Sequence, residues 1–306
     1  MPDSLEVTMA AFTGLPVFEY VKAKTAAEVF RVIEKQPEKY HFLSGGTDLF
    51  LQMRNGSCAP EIVVDLKALP GMKDLSFSED SGLVVGGAVT INRLAAHSQV
   101  IRHYPLLVEA ARSMASYQLC SRATLAGNLC NGSPAADMAP AALILGAQLE
   151  LVSSDGERML PIEAFFLGPG KTALQPGEFL QTVVFPVPEE GTAAHYFKLG
   201  RNKAGDLAVA GAAVLAYPDD VPGGFSWRIA LASVAPTPMR AWEAEQLLNE
   251  QVWSPVLAEQ AADAAARAAK PIDDVRASAA YRRAMVRTQT LRAIKAVHAD
   301  LHKEAK

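Results

Sequence analysis

Two stretches of this 306-residue chain gather the small residues that let a backbone come close to a bulky polar ligand. The first is Phe42-Leu43-Ser44-Gly45-Gly46-Thr47-Asp48-Leu49. The second opens Thr124-Leu125-Ala126-Gly127-Asn128 and closes Ser133-Pro134-Ala135-Ala136-Asp137. Backbone N–H groups aimed at phosphate oxygens need such glycines, because a Cβ blocks the approach or forbids the dihedrals of an anion nest. Thr47, Thr124, Asn128 and Ser133 add side-chain hydrogen bonds, and the Asp137 carboxylate can accept from a sugar hydroxyl. A plainer reading stands beside this one. Gly45-Gly46 also suits a strand-to-helix turn, and Ser133 to Asp137 suits the capped entry to a helix whose first turn favours an acid.

The rest of the chain narrows the chemistry. It has no Gly-x-Gly-x-x-Gly fingerprint after the first strand, no P-loop and no nucleophile elbow. No paired carboxylates nominate acid–base catalysis, so no catalytic residue is assigned. Cys58, Cys120 and Cys130 form no CxxC pair and read as small hydrophobes rather than disulfide, zinc or cluster ligands. His298 and His302 share a helical spacing in a polar tail, which reads as a solvated face, and no metal site is expected. A net charge of −4 fits neither a nucleic-acid groove nor an anionic membrane surface. The longest uncharged run, Met138 through Leu149, falls short of the roughly 20 residues of a membrane span. The N-terminus lacks a basic head followed by an apolar stretch, so a cytoplasmic location is expected.

Elements to carry the two stretches follow from periodicity. Phe18 to Val21 reads as a strand, and Thr25 with Glu28 caps a helix over Ala26 to Glu34. A short helix is expected from Leu49 to Arg54, and a buried strand from Glu61 to Leu66. A strand ending in glycines spans Gly82 to Val89. Helices follow at Ile91 to His97, at Leu106 to Ala115 after Pro105, and at Ala136 to Leu145. Strands are expected at Gln148 to Ser153 and Phe179 to Pro186. Past Glu189-Glu190-Gly191 come three β-rich runs, His195 to Leu199, Leu207 to Tyr217 and Phe225 to Val234. Helices Ala241 to Asn249, Val256 to Lys270 and Ala279 to Ala299 then dominate. Strands followed by helices indicate a separate α+β unit. The expected division is an N-terminal extension at 1–14, a cofactor domain at 15–190 and a C-terminal domain at 191–306.

The two stretches resemble the FAD-binding loops of the flavoprotein (medium) subunit of molybdenum hydroxylases, the family of xanthine dehydrogenase and carbon monoxide dehydrogenase. The resemblance runs from about Val17 to Leu301. It includes Phe18-Glu19-Tyr20 as the opening strand, Tyr196-Phe197-Lys198-Leu199-Gly200-Arg201, and Tyr281-Arg282-Arg283 at the start of the last helix. It implies an α+β fold: a PCMH-type FAD-binding domain of two α/β subdomains, then a C-terminal α+β domain with a three-stranded antiparallel sheet. It also implies that Gly45, Gly46, Thr47 and Asp48, with Phe42, Leu43, Ser44 and Leu49 around them, cradle FAD. Thr124, Leu125, Ala126, Gly127 and Asn128 would do so from the second loop. Asp137 would accept from the ribityl or ribose, Leu180 and Met114 would pack on the cofactor, and Lys198 would sit near the isoalloxazine. Ala126 departs from the family's glycine, which is accommodated if its φ is negative.

The implied partners are a large subunit with molybdopterin, a small subunit with two [2Fe–2S] clusters, and an external acceptor such as NAD or a quinone. Gly46→Val is accordingly expected to abolish flavin retention with little loss of fold. Two other readings are a self-contained PCMH-type FAD oxidoreductase and a flavin-free scaffold subunit.

Overall fold

The computed structural model describes residues 14–202 and 205–303, so the expected N-terminal extension, Gly14 apart, lies outside the described residues. Strands β1 (Glu19–Lys22), β2 (Tyr40–Leu43) and β3 (Ile62–Asp65) form a parallel sheet in the order β1-β3-β2. β3 is buried at every position, which its unbroken Ile-Val-Val run requires of a central parallel strand. Helix α1 (Ala26–Lys35) makes the crossover, and the Thr25 hydroxyl accepts the Glu28 N–H at 3.2 Å to start it. Helix α2 (Leu49–Arg54) leaves directly from the first glycine stretch.

A second sheet is antiparallel throughout. It contains β4 (Leu75–Ser78), β5 (Gly82–Gly86), β6 (Gln148–Ser153), β7 (Gly156–Pro161) and β10 (Phe179–Phe185), in the order β4-β5-β10-β6-β7. A small hairpin, β8 (Phe166–Gly168) with β9 (Lys171–Thr172), lies between β7 and β10. Between β5 and β6 the chain makes six short helices. These are α3 (Ile91–Ala96), α4 (Ser98–His103), α5 (Pro105–Ser113), α6 (Tyr117–Cys120), α7 (Leu125–Cys130) and α8 (Met138–Ile144). The second subdomain is therefore built on antiparallel pairing rather than on alternating strand and helix. The edge strands β4 and β7 escape the sequence reading because neither has a fully buried residue to mark an apolar run.

The C-terminal unit adds β11 (Ala193–Leu199), β12 (Ala210–Pro218), β13 (Phe225–Ala232) and β14 (Met239–Arg240), with helices α9 (Trp242–Glu250), α10 (Pro255–Ala268) and α11 (Ala279–Leu301). Its sheet has four strands rather than three, the fourth being the two residues of β14. β12 and β13 are covered on both faces. Trp227, Ile229 and Leu231 point with Val214 into a core shared with α10 and α11. Ala213, Leu215 and Ala230 point the other way, into one continuous core with α5, α8 and β10. The helices meet the sheet through alanines, including Ala258, Ala261, Ala264 and Ala265, all fully buried. His298 is not on a solvated face: its ring stacks on Trp253 at 3.7 Å, and Trp253 stacks on Trp227. Among the described residues no helix is long and apolar enough to cross a membrane.

His195 on β11 ties α5 to α11. Its Nδ1 lies 3.0 Å from Glu109 Oε1 and its Nε2 lies 2.8 Å from Asp300 Oδ2. The Glu109 hydrogen bond, with a lesser one from Asp300, raises its pKa against the opposing cost of burial. A raised folded value means the stabilisation is complete below the ordinary histidine range and fades as pH rises through the folded pKa. The melting-temperature gap between wild type and His195→Gln is therefore expected to be wide near about pH 5.5 and to narrow by about pH 8.5. A gap constant across that range would show that His195 contributes through packing alone.

Candidate cofactor site

The two glycine stretches meet at one half-open cleft between the parallel sheet and the antiparallel one. Counted out to its mouth, the free space is about 1020 Å³. Ser44, at the end of β2, starts the contact. Its hydroxyl donates to Gly87 O at 2.9 Å and lies 3.3 Å from Thr124 Oγ1, while Lys67 Nζ holds its carbonyl at 3.1 Å. Thr124 in turn accepts the Gly127 N–H at 3.0 Å and caps α7. The second stretch, irregular to the eye, is thus a short capped helix. Ala126 sits inside it with a negative φ, so its methyl causes no strain. The Asn128 side-chain carbonyl accepts the Met138 N–H at 3.3 Å and fastens α7 to α8.

Thirteen of the expected residues line the cleft. Phe42, Ser44, Gly45, Gly46, Thr47, Asp48 and Leu49 do so from the first stretch, and Thr124, Ala126, Gly127 and Asn128 from the second. Met114 and Leu180 complete the set. Leu43 and Leu125 lie off the wall, each in a hydrophobic core. The cleft also takes in His41, Gln52, Met72, Gly87, Cys130, Leu174 and Phe179, which the sequence reading did not assign to a site. Gly87 carried a signal, as the last glycine of Val84-Val85-Gly86-Gly87. An added Cβ there would stand 2.6 Å from Leu180 O, so only glycine lets β10 bring Leu180 to the wall.

The wall is suited to an anion without supplying a cation. No lysine or arginine among the described residues lines it. Among the described residues, the N–H groups of Gly45, Gly46, Thr47 and Asp48 donate to no protein acceptor. Four successive amides without a protein partner, beside a cleft, suit acceptor oxygens of a bound anion. Asp48 is open to the cleft, yet the protein mass around it raises its carboxyl above the ordinary value, with the Thr47 hydroxyl opposing. Burial pushes the Cys130 thiol up to about 12, which removes it as a thiolate. Among the described residues no group of three or more His, Cys, Asp or Glu could hold a metal ion.

Asp137 and Lys198 are brought together, but with each other and not on the cleft wall. Lys198 Nζ lies 2.7 Å from Asp137 Oδ2, and Tyr196 Oη donates to Asp137 Oδ1 at 3.0 Å. Both side chains of the pair are under 10 % exposed. Burial raises the Asp137 carboxyl while Lys198 and Tyr196 pull it down. The helix-cap alternative is not realised either, since Asp137 makes no side-chain bond to α8. Asp137→Asn is expected to lower apoprotein stability by about 2 kcal/mol, because it strips a buried ammonium of its charged partner. An unchanged melting temperature for that variant would show that the pair contributes nothing net.

Comparison with known proteins agrees with this geometry. Residues 16–188 match the family described as the FAD binding domain in molybdopterin dehydrogenase, and residues 195–297 match the CO dehydrogenase flavoprotein C-terminal domain. The chain is 33% identical over 277 residues to a xanthine dehydrogenase FAD-binding subunit from Escherichia coli, covering 90% of this chain and 94% of that one. It is 31% identical to the carbon monoxide dehydrogenase medium chain of Hydrogenophaga pseudoflava, over 93% of this chain and 98% of the relative. A solved carbon monoxide dehydrogenase from that organism superposes with a TM-score of 0.90, covering 94% of this chain and 99% of that one at 31% identity. Quinoline 2-oxidoreductase from Pseudomonas putida 86 gives 0.87, over 95% and 100% of the two chains at 27% identity. The chain belongs to the FAD-binding medium-subunit family of the xanthine dehydrogenase and carbon monoxide dehydrogenase type, with residues 16–188 as its FAD-binding domain.

Proposed function

We propose that this chain is the electron-transfer subunit of a molybdenum hydroxylase complex. It would take electrons from [2Fe–2S] clusters on a small partner and pass them to an external acceptor such as NAD or a quinone. A large partner with molybdopterin would carry the substrate chemistry. The observation that carries this reading is a cleft rich in anion donors and apolar wall but poor in groups that could act on a substrate. FAD bound there supplies a centre that gains and gives up electrons.

The chain's own residues do the holding. The unpaired amides of Gly45 to Asp48 and the Thr47 hydroxyl suit the pyrophosphate. Asp48 would repel phosphate but suits a hydroxyl of the cofactor. Phe42, Met72, Phe179 and Leu180 give the aromatic systems an apolar bed that excludes water. Names of relatives support the assembly: the similar chains are called medium chains or FAD-binding subunits of dehydrogenases.

His41 and Cys130 both reach the cleft, which gives the self-contained oxidoreductase reading one observation, since a histidine or cysteine could bond the flavin covalently. Acid precipitation of the purified chain separates the two. Yellow colour is expected in the supernatant, as free FAD, with no iron or molybdenum in the chain. Colour retained in the pellet would favour the covalent, self-contained enzyme.

A further inference from the structure

Lys67 stands off the cleft wall, behind the first glycine stretch. Its Nζ donates to Ser44 O at 3.1 Å and lies 2.9 Å from Asp65 Oδ1. Asp65 closes β3, is buried, and also accepts from the Tyr20 hydroxyl and the Lys67 N–H. Burial works against its carboxylate, yet those donors hold it below the ordinary value, so it stays an anion beside the ammonium. The chain of bonds from Tyr20 through Asp65 and Lys67 thus ends on one carbonyl. That carbonyl belongs to the peptide unit that opens the run of amides without a protein partner, Gly45 to Asp48.

Resting on the reading that the cleft holds FAD, we propose that Lys67 is a positioning residue that aims the Gly45 N–H at the pyrophosphate without touching the cofactor itself. A trans peptide unit is planar, so its C=O and N–H point in opposite directions. Lys67 draws Ser44 O away from the wall, and the N–H of the same plane therefore faces the cleft that Gly45 lines. The Ser44 hydroxyl anchors the residue from its other side by donating to Gly87 O at 2.9 Å. Little else resists rotation of this plane, because Gly45 has no Cβ to restrict its dihedrals. Without Lys67 the plane can turn over. Ser44 O would then present an acceptor to the phosphate oxygens, and the nest would lose its first donor.

The full-length chain tests this, with FAD as the probe. Cell-free synthesis with serine isotopically labelled at its carbonyl carbon and glycine at its nitrogen gives NMR cross-peaks from two peptide units. These are Ser44–Gly45 and Ser81–Gly82, the Ser-Gly steps of the sequence. In Lys67→Met apoprotein the Ser44–Gly45 cross-peak is expected to move while the Ser81–Gly82 cross-peak stays. FAD is expected to bind that variant about tenfold more weakly, as for one lost hydrogen bond to a charged group. Lys67→Arg keeps a cationic donor within reach of the carbonyl and should restore both readouts. An affinity loss with an unmoved cross-peak would mean a direct pull on the phosphates and would overturn the proposal. Wild-type affinity in Lys67→Met, whatever its cross-peak or melting temperature, would overturn it too. If Lys67→Met does not fold, Lys67→Ala takes its place with the same readouts. Failure of the wild-type chain to take up FAD would instead sink the reading on which the proposal rests.

Discussion

A Gly45→Val chain is expected to lose up to about 99% of its FAD affinity while its apoprotein still folds. A Cβ at Gly45 would stand 2.4 Å from Arg122 O and 3.1 Å from Ala123 Cα. Those are backbone atoms, immediately before Thr124, and they cannot turn aside as a side chain can. The first stretch must then back away from the second, breaking the Ser44 to Thr124 contact and spreading the donors from both loops. Overpacking of this kind costs about 1–3 kcal/mol, and a loss of ~3 kcal/mol in binding corresponds to roughly 100-fold.

Gly46 behaves differently. Its φ is +76°, and its Cβ would meet Leu43 Cδ1 and Phe50 Cε2 at 2.8 Å, inside the protein rather than in the cleft. Gly46→Val therefore strains the apoprotein as well, contrary to the expectation from sequence that the fold would be spared. Thermal melts of both apoproteins, alongside FAD titrations, distinguish the two glycines. Equal affinity in Gly45→Val and wild type would mean that the loops do not act as one cradle.

The second large effect concerns the source of electrons. With the isolated chain and FAD bound, dithionite is expected to bleach the flavin, while organic substrates of the parent complex leave it oxidised. Adding subunits that carry molybdopterin and [2Fe–2S] clusters should raise substrate-driven reduction from none to a rate typical of enzymes, on the order of 1–10³ s⁻¹. The cleft wall motivates this: the Cys130 thiol stays protonated, and among the described residues no lysine or arginine lines the cleft to steady a developing anion. Reduction of the isolated chain by a small organic substrate at such rates would replace the subunit reading with a self-contained oxidoreductase.

Much of this was legible in residue types. Gly45, Gly46 and Thr47 announce a turn with spare donors, and the structure places them on the cleft with Thr124, Gly127 and Asn128. What sequence could not show was which groups are already taken. Asp137 reads from sequence as an acceptor for a sugar hydroxyl, and its bond to Lys198, sixty-one positions away, appears only in the fold. The helix α7 hides because glycine and asparagine are poor helix formers, and only the Thr124 cap betrays it. His298 looked solvated because the tryptophan that stacks on it, Trp253, comes from the segment after α9 and is itself backed by Trp227 of β13. Short edge elements such as β4, β7 and α4 carry too little periodic signal to stand out.

The core that runs unbroken from α5 and α8 into Ala213, Leu215 and Ala230 of the C-terminal sheet has a thermodynamic consequence. Ser233 N–H donates to Pro134 O at 2.7 Å across the same contact, so the C-terminal unit holds the second cofactor loop from behind. Neither part can melt without exposing apolar surface on the other, and unfolding becomes a single all-or-none event. Flavin fluorescence released on heating then reports the loss of the whole chain's structure, and its midpoint coincides with that of far-ultraviolet ellipticity.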